Sequence, residues 1–278
     1  MPESEVMVGN VRVASFSDGK LEFDLCNFYP SIPEENWARY PEDVTAEHKI
    51  SLNLASYLIR SQGITILVDT GMGPVPEDAP ESAWGELLSN FEAAGVRTDE
   101  VDKVVMTHLH RDHVGWNMVS ENDRYRPVFP NARYVLSRKD WEATRMPEYA
   151  ERFPTASSKL WPLEELGILD VVEGEYAING ELTALPTPGH TPGHMSLLIS
   201  SQGQKGVVMG DAIHSPAQVQ EWEWCSRADM DPDRARASRR KLVEKAEREG
   251  TLIAAGHFPA PGFGRVVRLQ DRRYWQAL

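Results

Sequence analysis

Thr107-His108-Leu109-His110-Arg111-Asp112-His113 places three of the chain's eight histidines and one aspartate within six residues, in the order His-x-His-x-Asp-His. The apolar run Val104-Val105-Met106 before it reads as a buried strand, and Val114-Gly115 after it marks a turn. In extended backbone, side chains two apart point the same way, so His108 and His110 can converge on one point beyond the strand end. Asp112 and His113 lie further on and can serve a second point. Imidazole nitrogens and carboxylate oxygens are ligands for zinc and similar divalent ions. The competing reading is an exposed polar loop rich in histidine, which such clustering in a chain with few histidines disfavours.

Three more stretches repeat the theme of an apolar strand next to a loop bearing His or Asp. Pro186-Thr187-Pro188-Gly189-His190-Thr191-Pro192-Gly193-His194 opens into Met195-Ser196-Leu197-Leu198-Ile199. Gly206-Val207-Val208-Met209 runs into Gly210-Asp211, and Leu252-Ile253-Ala254-Ala255 into Gly256-His257. Glycine beside each ligand type permits close backbone approach.

This set, together with Val68-Asp69-Thr70-Gly71, resembles the metallo-β-lactamase-fold hydrolase superfamily. Gly210-Asp211-Ala212-Ile213-His214 and Ala255 through Gly264 look most like its methyl parathion hydrolase and lactonase branch. The resemblance implies an α/β four-layer αββα sandwich and two divalent metal ions per chain. Zinc is the first expectation, with manganese, cobalt or iron accepted by the same ligands. It implies His108, His110 and His190 at the first ion, Asp112, His113 and His257 at the second, and Asp211 between them. His194 is expected to stabilise its loop. Asp69 either supports the ligand histidines through their free N–H groups or shapes the Asp-Thr-Gly turn.

Departures narrow the chemistry. Redox di-iron members carry Glu where this chain has His110, and zinc β-lactamases typically lack an aspartate at the Asp211 position. Several acyl-homoserine lactonases have Tyr three residues after the bridging Asp; here His214 stands there, either a hydrogen-bond donor to substrate or a rim residue. The expected mechanism is attack on the substrate by hydroxide shared between two metals, with Asp112 carrying the proton to the leaving group. No Gly-x-Ser-x-Gly is present to support a serine hydrolase.

Composition agrees. The chain has 278 residues, 41% hydrophobic and 26% charged, ordinary for a globular protein and long enough for a sizeable core. It is read as a single domain over residues 1–278, since no linker or low-complexity tract divides it. A net charge of −13 disfavours nucleic acid and anionic membranes as partners. Two cysteines, Cys26 and Cys225, suggest free thiols in a reducing, cytoplasmic setting. The acidic start Met1-Pro2-Glu3-Ser4-Glu5 is unlike a secretory signal, and no apolar run is long enough to span a membrane.

Residues 8–25 alternate like a hairpin with its turn at Ser17-Asp18-Gly19-Lys20, and Asn53–Val68 reads as two strands about Ser61-Gln62-Gly63. Helices are expected over Ser82–Ala94, Arg138–Thr144 and Pro232–Glu249, the last capped by Asp231. Arg234, Arg236, Arg239, Arg240 and Lys241 on that helix read as its solvated face. Phe28, Tyr29, Trp37 and Tyr40 within residues 26–48 form either a lid or core and dimer contacts of a possible homodimer. Trp116, Trp222 and Trp224 are expected to line a narrow, flat pocket. With no arginine cluster beside the ligand motifs, the expected substrate is a small uncharged lactone or aryl ester. The alternatives are a phosphotriester hydrolase and a non-catalytic metal-binding protein.

Overall fold

The computed structural model describes residues 4–78, 82–121 and 124–278; Met1–Glu3, part of the acidic start read above, lie outside them. In chain order the strands are β1 (Ser4–Val8), β2 (Val11–Asp24), β3 (Lys49–Ser61), β4 (Ile64–Val68), β5 (Lys103–Val105), β6 (Met118–Glu121), β7 (Arg124–Pro127), β8 (Arg133–Ser137), β9 (Leu169–Val172), β10 (Tyr176–Ala177), β11 (Leu182–Pro186), β12 (Met195–Ser201), β13 (Gln204–Val208), β14 (Leu252–Ala254), β15 (Phe263–Leu269) and β16 (Arg272–Ala277). The helices are α1 (Leu25–Phe28), α2 (Leu87–Ala93), α3 (Arg111–Val114), α4 (Arg138–Ala143), α5 (Ala156–Lys159), α6 (Trp161–Glu165) and α7 (Pro232–Glu249).

Two seven-stranded sheets, ordered β1-β2-β3-β4-β5-β8-β9 and β10 through β16, carry the architecture. Strand alternation decides which face each residue joins. On β4, Ile66 and Val68 point into the layer between the sheets, while Leu67 points to the helices. Both faces are buried, which is why this run is apolar throughout. Between the sheets, Val13, Tyr57, Ile59, Val105 and Val135 meet Leu182, Leu197, Val208 and Phe263. Outside the first sheet lie Leu87 and Phe91 of α2 and Trp141 of α4; outside the second lie Leu242, Val243 and Ala246 of α7. Helix, sheet, sheet, helix is the expected four-layer order.

Parallel pairing marks where the site forms. In the first sheet β4, β5, β8 and β9 run parallel, and in the second β13 and β14 do. The loops leaving the carboxyl ends of β4, β5, β13 and β14 therefore gather at one rim, where α/β sheets hold their ligands.

Two local expectations are corrected. The hairpin turn is not at Ser17–Lys20: β1 and β2 turn at Gly9-Asn10, and β2 continues through Ser17–Lys20 with a register shift. The Asp18 carboxylate is buried there. Its oxygens accept N–H groups from Met72, Gly73, Leu87 and the Trp116 indole. Gly19, at φ 110°, lets the backbone bridge to Trp84. That bridge also delays the second helix, which begins at Leu87 rather than Ser82.

The third helix prediction holds at Pro232–Glu249, with the Asp231 side chain accepting from Arg234 N–H. Its solvated face, however, excludes Arg239, which is fully buried. Ala235, Arg239, Leu242 and Ala246 share one stripe of the helix, and the guanidinium is satisfied by the carbonyls of Ala212, Trp222 and Trp224 and by Asp229.

Candidate metal centre

Each chelating side chain is delivered by a strand that ends in a tight turn. After β5, the chain passes through Thr107–Leu109 to His110, which is extended and opens the one-turn helix α3 carrying Asp112 and His113. Met195 N–H donates to the Thr107 carbonyl and Thr70 N–H to that of His113, pinning both ends of the loop. After β13, Gly210 adopts φ 55° and brings Asp211 against the His194 ring. A Cβ there would lie 2.6 Å from His194 Nε2, so only glycine fits.

The side chains converge as two triads. His190 Nε2 is 2.9 Å from His110 Nδ1, and His108 Nε2 is 3.1 Å from the same atom. On the other side, Asp112 Oδ2 lies 3.7 Å from both His113 Nε2 and His257 Nε2. The Asp211 carboxylate sits between them, 3.2 Å from His190 Nε2, 3.3 Å from His113 Nε2 and 3.1 Å from His257 Nε2. The three groups His108–His110–His190, His108–His113–Asp211 and Asp112–His113–His257 each have the spacing to hold a metal ion.

Hydrogen bonding on the far side of each ring shows what these nitrogens need. A neutral imidazole has one N–H, so a ring that donates from one nitrogen offers a lone pair at the other. His257 Nδ1 faces the Asn53 carbonyl at 2.8 Å and must donate there. His113 Nδ1 is 2.8 Å from Asp69 Oδ2, and His190 Nδ1 is 3.1 Å from Asp229 Oδ1. Thr107 Oγ1 donates to Asp69 and so accepts from His108 Nδ1. Each of these four rings can therefore turn a lone pair inward, toward the others and toward a carboxylate. Among the described residues His113 Nε2 and Asp211 Oδ1, 3.3 Å apart, are buried without a hydrogen bond. Such a set of acceptors is satisfied by cations, and His, Asp and bridging Asp suit divalent ions.

Electrostatics points the same way. Burial and the neighbouring histidines hold His108 and His110 well below the usual imidazole range, so both are neutral and ready to coordinate. Burial raises the Asp211 carboxyl, but positive charge on His257 and His113 outweighs it and keeps it ionised. Burial pulls those two imidazoles down, but the facing Asp211 and Asp112 carboxylates hold them above the usual range, so this side of the site draws cationic charge.

Asp69 stands behind the ligands as well as shaping its turn: at φ 59°, it takes Thr107 N–H and His113 Nδ1–H together. His194 has no lone pair to spare, because Nε2 accepts Asp211 N–H and Nδ1 faces the Thr187 carbonyl and hydroxyl. His214 is buried with Nε2 3.3 Å from Asp211 Oδ2, and with His190 and Asp211 it makes a fourth group of chelating spacing.

Asp229 and Arg239 were missed from the sequence. Arg239 Nη2 lies 3.1 Å from Asp229 Oδ2, so the chain His190–Asp229–Arg239 is continuous and buried. Burial pushes the Asp229 carboxyl up, but the His190 hydrogen bond and nearby positive charge hold it well below the usual range.

A cavity of about 420 Å³ opens over the triads. Its walls are Leu21, Phe23, Phe28 and Leu52, and Arg152, Arg227 and Ala228 complete it around His110, Asp112, His190, Asp211, His214 and His257. A second cavity of about 580 Å³ adjoins it across His214 and His257. The predicted tryptophan walls are corrected. Trp116 is in the core beneath the helices with its indole on Asp18, Trp224 packs on Trp37 and Tyr40, and Trp222 lines an outer groove of α7. From residues 26–48, Phe28 reaches the cavity, while Tyr29 and Trp37 are buried in a cluster with Ile50 and Leu52. The ligand motifs carry no arginine cluster beside them, but the pocket inferred from that is corrected: Arg152 and Arg227, remote from the motifs in sequence, line the cavity.

No described helix is long and apolar enough to cross a membrane, and Cys26 and Cys225 are free thiols.

Comparison with known proteins agrees with this geometry. An N-acyl homoserine lactonase of Bacillus cereus is 27% identical over 232 residues, 77% of this chain and 84% of that protein. The lactonase AttM of Rhizobium radiobacter is 25% identical over 228 residues, covering 73% and 81%. Among solved structures, the dizinc quorum-quenching lactonase AidC superposes with a TM-score of 0.85 at 23% identity, over 99% of this chain and 97% of that one. The hydrolase AbOPH gives the same score at 25% identity, over 99% and 96%. The sequence pattern described as the Metallo-beta-lactamase superfamily matches residues 53–257, from within β3 to His257, and the chain belongs to that superfamily.

Proposed function

We propose that this protein is a binuclear metal-dependent hydrolase of lactones and related small esters. The observation that carries the reading is the double triad: inward lone pairs on both sides of the Asp211 carboxylate, at the floor of a cavity with an apolar wall. The lactonase relatives support the substrate class.

His108, His110 and His190 would hold one ion, Asp112, His113 and His257 the other, and Asp211 both. Such ions, when bound, acidify water to near neutral pH and polarise a carbonyl. The remaining work falls to the chain. Phe28, Phe23, Leu21 and Leu52 exclude solvent from the reacting carbonyl and give an apolar substrate its surface. Asp112, less buried than Asp211, lines the cavity and can take a proton and return it to the departing alcohol. Burial holds His214 below the usual imidazole range, hence neutral, and it lines the cavity. Its Nε2 faces Asp211 Oδ2 at 3.3 Å, so its one N–H would serve that carboxylate, and reaching a substrate carbonyl would require the ring to turn.

The test joins metal analysis to a substrate panel. Purified protein should carry close to two divalent ions per chain, lose hydrolysis on prolonged chelation and regain it when metal returns. The best lactone or aryl ester should exceed a paraoxon-like triester by about tenfold or more in kcat/KM, ~1.4 kcal/mol of differential transition-state binding. An active preparation with only trace metal overturns the binuclear reading, and a preferred triester replaces the substrate class.

A further inference from the structure

Arg152 and Arg227 are unusual among this chain's arginines. Most others are paired with a carboxylate, such as Arg133 with Asp170, Arg145 with Glu164 and Arg268 with Glu247. Among the described residues the Arg152 guanidinium makes a single hydrogen bond, Nη1 to the Arg227 carbonyl at 3.3 Å. Arg227 donates Nη1 to the Asn27 amide oxygen at 2.6 Å and lies over the Phe23 ring at 5.5 Å. Neither is ion-paired among the described residues, although the chain has 42 acidic residues against 29 basic ones.

Both also line the cavity over the double triad. Arg152 immediately precedes Phe153, whose ring packs on His110 at 5.8 Å. The hydrogen bond between them sets the two arginines side by side at the mouth, with Leu21, Phe23, Phe28 and Leu52 forming the wall. A guanidinium without a carboxylate in its own protein offers a planar fork of donors that matches an external carboxylate. In a strongly acidic protein, a positive mouth also selects which small molecules concentrate there.

We infer that the substrate carries a carboxylate remote from the scissile bond, and that Arg152, with Arg227 beside it, binds that group. The substrate class becomes a lactone or ester of a hydroxy-dicarboxylic acid: the reacting carbonyl at the double triad, a short apolar stretch against Phe23 and Phe28, and the second carboxylate at the mouth. This rests on the hydrolase reading and corrects its expectation of an uncharged substrate.

A matched pair tests it: a γ-lactone whose ring bears a short alkyl chain ending in a carboxylate, and the primary amide of the same lactone, assayed at low salt with the metal-loaded protein. The carboxylate should be favoured by tenfold or more in kcat/KM, the preference residing in KM and shrinking as salt rises. Arg152→Gln should bring the ratio close to one, Arg152→Lys should restore part of it, and Arg227→Gln should lower it less, because that side chain also holds Asn27. Calorimetric binding of 4-(tetrahydrofuran-2-yl)butanoate against its amide, in wild type and Arg152→Gln, reads the same preference without turnover. Hydrolysis of the amide lactone with a wild-type ratio of one, or a ratio unmoved by Arg152→Gln, overturns the inference and leaves the hydrolase reading standing. If neither lactone is hydrolysed, that reading fails, and the calorimetry still decides whether Arg152 binds the carboxylate.

Discussion

An imidazole that coordinates a cation must place its single N–H elsewhere, and for His108, His113, His190 and His257 that placement is a named acceptor. Asp229 is the most consequential of these, because it faces His190 on one side and buried Arg239 on the other. Asp229→Asn should weaken metal binding by about 10–100-fold, the usual cost of losing a supporting carboxylate. It should also destabilise the fold by about 3 kcal/mol, since Arg239 is left as an uncompensated buried charge. Metal titration and urea unfolding of the same variant separate the two effects. At Asp112, replacement by Asn keeps size and a coordinating oxygen but removes the proton acceptor; turnover should fall by roughly 10²–10⁴ at full metal occupancy, measured by single-turnover kinetics. Normal turnover would mean the proton leaves by another group, His214 being nearest in role. The chelating residues were legible because four of them sit in six residues and the rest follow strands. Asp229 was not, since one aspartate in an irregular loop carries no pattern. Arg239 does leave a signal, since at helical spacing it falls on the apolar stripe Ala235–Leu242–Ala246 rather than on the solvated face.

At the scale of elements, Asp18 shows how one side chain can organise several loops. Four N–H donors, from Met72, Gly73, Leu87 and Trp116, end on its two oxygens. Burial raises this carboxyl above the ordinary range, and those donors counter the shift. Asp18→Asn would set an amide NH₂ against N–H groups, so the variant should lose about 2–4 kcal/mol, the scale of a broken buried network. Chemical unfolding checks the loss, and native stability would show that the loops do not depend on this hub. The sequence cue was present but ambiguous: Ser-Asp-Gly-Lys between alternating stretches is a hairpin signal, and only the long-range bridge to Trp84 converts it to a bulge within β2. The turn at Gln62-Gly63 was read correctly because nothing distant competes there; both residues take positive φ, as a two-residue hairpin requires. The tryptophans failed as pocket walls for the same reason as the hairpin. Nearness in sequence to a ligand loop says nothing about which face a ring takes.

Over the whole molecule, acidity acts through buried carboxyls as well as net charge. Asp43 lines the larger cavity and accepts from Ser215 Oγ and Ala217 N–H, and burial pushes its carboxyl up to about 6. The folded chain then keeps a proton that the unfolded chain releases near pH 4. Stability from this group is fully present below that pH and is lost as pH rises to about 6, a change of about 3 kcal/mol for two pKa units. Asp43→Asn retains an acceptor oxygen and removes the titration. It should match wild type at pH 4 and exceed it at pH 8, with the difference developing between those values in thermal or urea unfolding series. A variant less stable than wild type at pH 8 would show that the charged form is the one the fold prefers.

The seam between the two sheets has a further consequence. Strand β9 ends at Val172 and β10 begins at Tyr176, so three residues, Glu173-Gly174-Glu175, join the halves. His108, His110, Asp112 and His113 come before that junction; His190, Asp211 and His257 come after it. Neither triad is complete in one half, so any ion bound in either place spans the seam. Binding and cohesion are then linked: each ion held only when the halves are docked adds about 2.7 kcal/mol to their adhesion at a hundredfold excess over its dissociation constant. Metal starvation would thus be felt as mechanical loosening along the midline, and a protease acting at Glu173–Glu175 would read cellular metal supply as chain lifetime.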